Sequence, residues 1–189
     1  MRVVDERVRR RQVLAVIAAV AATLVAAALL WWRTHNTIRD GNDVVMSAVG
    51  RTTCVPVHDT EKIVYGEALA NVTDDPVTIV DAHVTATGGA AVESTWLAEP
   101  AHAVGVLNQW PPPDMVDAFN SGEVRRAPAP LRPARTRSDD GQSLVLFVRM
   151  PAGSTITDVS VIYRKAGSTT LYRSNSTTST LKAVGAPSC

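Results

Sequence analysis

Hydrophobic and polar positions follow two different rules along this chain. Residues 13–32 read VLAVIAAVAATLVAAALLWW, with Thr23 the only clearly polar side chain and no charge, Gly or Pro. A helix of this length spans about 30 Å, the thickness of a bilayer's hydrocarbon core. A helix suits that medium because it satisfies its own backbone groups. Beyond about residue 56 the rule changes to short runs rich in Val, Ile, Thr and aromatics, separated by turn residues.

These runs predict strands at 62–72, 77–87, 90–97, 102–108, 143–150, 155–164, from about 169, and 177–183. In 77–87, Val80, Ala82, Val84 and Ala86 share one face and Asp81, His83 and Thr85 the other, the alternation of a half-buried strand. Val92, Ser94 and Trp96 form one face of the next run, with Gly88-Gly89 between the two as a hairpin turn. Leu144, Leu146 and Val148 back onto Val145 and Phe147, so 143–150 is apolar on both faces, as a central strand is. Val159, Val161 and Tyr163 align in 155–164, and 177–183 reads as a last edge strand. Seven or eight short strands with almost no amphipathic helix predict a mainly β fold. The expected form is an antiparallel β-sandwich, immunoglobulin-like, with a closed barrel as the alternative.

Between strands, Trp110 is followed by three Pro and a long connection to about residue 140. Asp114 is placed to cap a short helical turn through Phe119, and the rest reads as extended chain. Within it, VRRAPAPLRPARTR (124–137) carries Arg125, Arg126, Arg132, Arg135 and Arg137 with three Pro and no acid. It is the candidate partner-binding loop, suited to an anionic polymer, a lipid headgroup or an acidic protein surface. The competing reading is a solvated loop in a chain that prefers Arg to Lys throughout.

The flanks of the apolar run set its expected direction. Five Arg and two acids precede it, and only Arg33 and Arg39 come within ten residues after it. The positive-inside rule keeps 1–12 in the cytoplasm and exports the remainder of the chain, with Trp31 and Trp32 at the far membrane interface. A cleaved signal peptide would have a shorter apolar stretch and a small-residue cleavage site after it, where this chain has Trp-Trp-Arg. The expected organisation is a basic tail (1–12), a transmembrane helix (13–32), a stalk (33–55) and an exported domain (56–189). Ala18, Ala22 and Ala26 form a small-residue face that permits self-association of the helix. Export would place Cys54 and Cys189, the two cysteines of the chain, where disulfides persist, and their pairing is expected.

Overall charge is +1, so no strong balance points to nucleic acid. No Gly-x-Ser-x-Gly elbow, phosphate loop or His-Glu-x-x-His occurs. Ser179-x-x-Lys182 lacks its usual companion motifs. His35, His58, His83 and His102, with Met46, Met115 and Met150, are the metal-ligand candidates, but no two His stand at local ligand spacing. Asp74-Asp75 and Asp139-Asp140 adjoin turn formers. No catalytic residue, metal site or cofactor is therefore assigned. Asn71-Val-Thr and Asn175-Ser-Thr match the glycosylation acceptor pattern.

The Arg-rich tail, the Ala-rich anchor, NVTDDPVTIVDAHV and MPAGSTITDVSVIYR together resemble small single-pass actinobacterial membrane proteins of unknown function with an exported immunoglobulin-like β domain. The resemblance implies no catalytic residues. The expectation is a non-enzymatic binding module at the cell envelope, in contact with the lipid bilayer through 13–32 and with an envelope protein or cell-wall component through its domain. Its rivals are a structural subunit of a membrane complex and an envelope enzyme or metal-handling protein.

Overall fold

The computed structural model describes residues 16–28, 37–46, 52–98, 106–107, 116–134, 142–176 and 180–185. The chain divides into two units, 1–37 and 38–189. In the first, residues 16–28 form helix α1. Its large side chains, among them Val16, Val20 and Leu24, are exposed. The Thr23 hydroxyl donates to the carbonyls of Ala19 (2.8 Å) and Val20 (2.9 Å), which gives this polar side chain partners within the helix. Among the described residues no helix is long and apolar enough to cross a membrane. The expected span 13–32 runs past both ends of α1, and its outer parts, Trp31 and Trp32 included, lie outside the described residues.

The second unit is built from β1 (Ile38–Asp40), β2 (Val44–Met46), β3 (Thr52–Val57), β4 (Thr60–Asn71), β5 (Val77–Thr87), β6 (Ala91–Ala98) and β7 (Val106–Leu107). Next come α2 (Val116–Ser121), β8 (Arg125–Arg126), β9 (Ala129–Leu131), β10 (Gln142–Pro151), β11 (Thr155–Lys165), β12 (Leu171–Ser176) and β13 (Thr180–Gly185). A seven-stranded sheet runs β1-β12-β11-β13-β3, with β5 on the other side of β11 and β9 beyond β5. A six-stranded sheet runs β2-β4-β10-β6-β8, with β7 also on β4. Leu144, Leu146 and Val148 of β10 and Val159, Val161 and Tyr163 of β11 belong to one buried cluster shared by the two sheets. The mainly β sandwich architecture rests on this shared core.

Several sequence expectations need correction. The sheets are mixed, because β1 pairs parallel with β12 and β3 parallel with β13. These pairs join the two ends of the chain, so no tight turn forces them antiparallel. For the same reason β13 is not an edge: it lies between β11 and β3. Residues 38–46, read as stalk, supply strands to both sheets, β1 to one and β2 to the other. Three-residue strands are too short to show a period. Gly88 and Gly89, at φ of 70° and 81°, do make a tight turn. It carries the chain from β5 in one sheet to β6 in the other, where a hairpin was expected.

Bulges shift two expected faces. Ile79 opposes Tyr163 and Asp81 opposes Ile162, leaving Val80 as the extra residue. The buried face therefore runs Val77, Ile79, then Ala82, with Val80 out of phase. In β6, Glu93 is the extra residue between Val92 and Ser94. Val92 consequently packs against the inter-sheet core and Trp96 against the outer cluster.

The long connection is folded over much of its described length. Ala118 of α2 and Val124 pack on Val64, Ala98 and Val145, covering the outer face of the six-stranded sheet. This cover is why β10 is apolar on both faces. Downstream, β8 pairs with β6 and β9 with β5, so the segment crosses from one sheet edge to the other. Pro130 is tolerated because β9 has β5 on one side only among the described residues.

Candidate functional site

Arg125 and Arg126 occupy the two positions of β8, opposite Leu97 and Trp96. Both are exposed. The Arg126 guanidinium lies 6.0 Å from the Trp96 ring centroid, at the limit of a cation–π contact. Phe119 of α2 meets the same indole edge-to-face at 5.5 Å, and the indole N–H donates to Ser94 Oγ at 3.0 Å. The Arg125 Nε donates to the Gly122 carbonyl at 3.3 Å. The result is a basic and aromatic shelf on the outer edge of the six-stranded sheet, with Asp117 and Glu123 exposed beside it.

Arg132 does not join this shelf. It comes just after β9 on the seven-stranded sheet, where its backbone N–H donates to Gln142 Oε1 at 2.9 Å. Arg135 and Arg137 lie outside the described residues. The structure thus brings together two of the five candidate arginines and carries the third to the other sheet. Guanidinium forks of this kind bind carboxylates or phosphates.

Cys54 is disulfide-bonded. It sits on β3 opposite Lys182 of β13. Cys189 lies outside the described residues, as do His35, His102, Met115 and Ser179. Among the described residues, no three His, Cys, Asp or Glu side chains converge as metal ligands.

No family model matches this chain, and no curated protein or solved structure matches it.

Three polar constellations were not anticipated from the sequence. The first joins Asp43, Tyr163 and Lys165. Tyr163 donates to Asp43 Oδ2 at 2.6 Å, and Lys165 lies 3.0 Å from the same carboxylate oxygen. Burial works against the Asp43 charge, but these bonds outweigh it and hold the carboxyl below its ordinary range. Lys165 also sits 4.7 Å from the Tyr172 ring centroid.

The second centres on Glu67, only 6% exposed within β4. Tyr65 donates to its Oε2 at 3.1 Å, and Ser176, on the opposite sheet, donates to Oε1 at 2.9 Å. Burial raises its pKa despite these two bonds, and the charge of Asp158 pushes the same way. Asp158 is itself raised by burial. Glu67 lies on the period-two face of Ile63, Tyr65 and Leu69, so alternation alone contained the signal. With two hydroxyls occupying it and almost no exposure, it serves to fasten the sheets together.

The third is a cleft of about 350 Å³ between β5 and β6. Asp81, His83 and Glu93 supply its polar lining and Ala82, Val84 and Val92 its apolar lining. Asp81 Oδ1 accepts from the Ala82 N–H at 2.8 Å and from Thr95 Oγ1 at 3.1 Å, joining the two lips at one end.

Proposed function

We propose that this chain is a non-enzymatic binding module of the cell envelope, anchored through 13–32 and docking an acidic partner on its sandwich domain. The observation that carries this reading is the exposed pair Arg125–Arg126, consecutive on a strand whose backbone is fixed by β6. Fixing the strand removes most of the ordering cost that a free loop would meet on binding. The exposed apolar side chains of α1 support the anchor, since such a surface needs lipid or another helix to cover it. An immunoglobulin-like domain in the manner of single-pass actinobacterial envelope proteins is the finer form of the proposal. The doubly apolar β10 and the sheet-switching connections support it.

The test is crosslinking in native membranes with mass spectrometry of the products, comparing the wild type with Arg125→Glu/Arg126→Glu. The double variant should keep its thermal transition and lose the crosslinked partner. Unchanged partner recovery would reject the shelf as the docking surface. A second reading, a structural subunit of a membrane complex, draws on Ala18, Ala22 and Ala26, all of which lie within α1. Ala22→Ile should then block complex assembly.

A further inference from the structure

We propose that the cleft between β5 and β6 is a strand-acceptor site for an extended, basic peptide segment of a partner protein. This site is separate from the arginine shelf and does not depend on it. The turn at Gly88-Gly89 sends β6 into the opposite sheet, so the two strands diverge without pairing. Among the described residues each then keeps an open edge. β9 covers β5 only at Val77–Ile79, and β8 covers β6 only at Trp96–Leu97. Among the described residues no strand continues along 82–87 or 91–94.

Backbone polarity identifies which groups are available. Ser160 Oγ donates to the His83 carbonyl at 3.4 Å and Thr157 Oγ1 to the Thr85 carbonyl at 3.3 Å, so these carbonyls face β11. Strand alternation then turns the peptide groups of Ala82, Val84 and Ala86 toward the cleft. Asp81 already satisfies the Ala82 N–H. Val84 and Ala86 remain as donors and acceptors for an incoming strand. The open length is ~20 Å, enough for a six-residue segment.

Charge selects the occupant. Asp81 and Glu93 stand on opposite lips, with side chains 53% and 34% exposed. His83 lies 3.9 Å from Asp81, and Lys62 pairs with Glu93 at 2.8 Å. The apolar floor of Val84 and Val92 takes alternate side chains, and the acidic lips take the intervening Arg or Lys. The chain itself uses both edges in this way just before the cleft opens: β8, with Arg125 and Arg126, pairs with β6, and β9, with Pro130, pairs with β5.

The experiment uses the full chain in detergent and two labelled eight-residue peptides, Val alternating with Arg and Val alternating with Glu. Fluorescence anisotropy should show saturable binding of the Arg peptide and at least tenfold weaker binding of the Glu peptide. Amide resonances of Val84 and Ala86 should shift on titration and gain exchange protection. Val84→Pro removes an edge N–H that no ladder among the described residues uses, and should reduce binding at least tenfold with the thermal transition retained. Glu93→Gln serves as a second variant, expected to weaken the Arg peptide several-fold. Equal binding of both peptides, or binding without shifts at Val84 and Ala86, would overturn the proposal, as would no saturable binding.

Discussion

The phenol of Tyr163 donates a 2.6 Å hydrogen bond to the carboxylate of Asp43 across 120 residues of sequence. Asp43 returns a bond from its own N–H to the phenol oxygen at 3.2 Å. Between β1 and β2 the chain changes sheets, and this pair fixes the crossing to β11. Gly41 is required beside it because a Cβ there would collide with the phenol oxygen of Tyr163.

Tyr163→Phe should therefore lower unfolding free energy by about 1–3 kcal/mol, read from urea denaturation at neutral pH. The Asp43 pKa is depressed below its ordinary 3.8. Its contribution is present above that value and is lost as pH falls through the lower folded pKa. The difference between wild type and variant should shrink in that acid window. A difference that persists undiminished would show that Asp43 is not the partner that matters.

Glu67 has the opposite sign. Its pKa is raised in the folded state from an ordinary 4.5, so the folded domain binds the proton more tightly than the unfolded chain. Stability should fall as pH rises from 4.5 through the raised folded value, and level off above it. Glu67→Gln keeps the shape and removes the charge. It should flatten that decline in thermal melts between about pH 4 and 8 and leave the variant at least as stable as wild type at the upper end. A variant that retains the full slope would reassign it to another group, Asp158 first.

Asn71 carries the first Asn-x-Thr pattern but is fully buried. Its Nδ2 donates to the carbonyls of Asp75 (2.8 Å) and Leu131 (3.3 Å), while Oδ1 accepts from the Thr73 N–H and hydroxyl. Expressed in a glycosylating host, the protein should carry no glycan at Asn71, whereas Asn175 is exposed and open to modification. Asn71→Ala should cost roughly 1–3 kcal/mol by stranding buried backbone groups. Glycopeptide mapping and a denaturation curve check the two halves separately.

The register of β13 on β3 places Gly185 beside Val57, three residues past Cys54. Four residues then remain to Cys189, enough reach to return to Cys54. Alkylation of the unreduced protein in denaturant should label no thiol. Cys189→Ser should make Cys54 reactive. Removing the bridge should destabilise the domain by up to about 5 kcal/mol. Labelling of both cysteines without reductant would refute the pairing.

Much of this fold is local in origin. Apolar runs, alternation and turn chemistry were enough to bound β4, β5, β10 and β11 closely, because each is a long strand of ten or more residues flanked by turn formers. The double apolar face of β10 announced a covered, central strand. The helix near Phe119 was legible from the Pro run and the residues after it.

Partner choice was decided elsewhere. Nothing local distinguishes a Gly-Gly turn that closes a hairpin from one that turns a corner between sheets, and the β5–β6 cleft exists because the latter occurs. The three-residue strands β1, β2 and β9 gain their structure from neighbours distant in sequence. Their own segments are too short to fix it. The bulges at Val80 and Glu93 depend on the strand opposite, so a single strand's alternation misassigns the faces on either side of them. Sequence by itself determined the apolar N-terminal run, the β class and most strand limits, since these arise from the period of side chains along one segment. Tertiary structure decided which edges are covered, where Arg125 and Arg132 part, and how Glu67 and Asp43 are held, since these are pairings between segments that only the folded chain brings together.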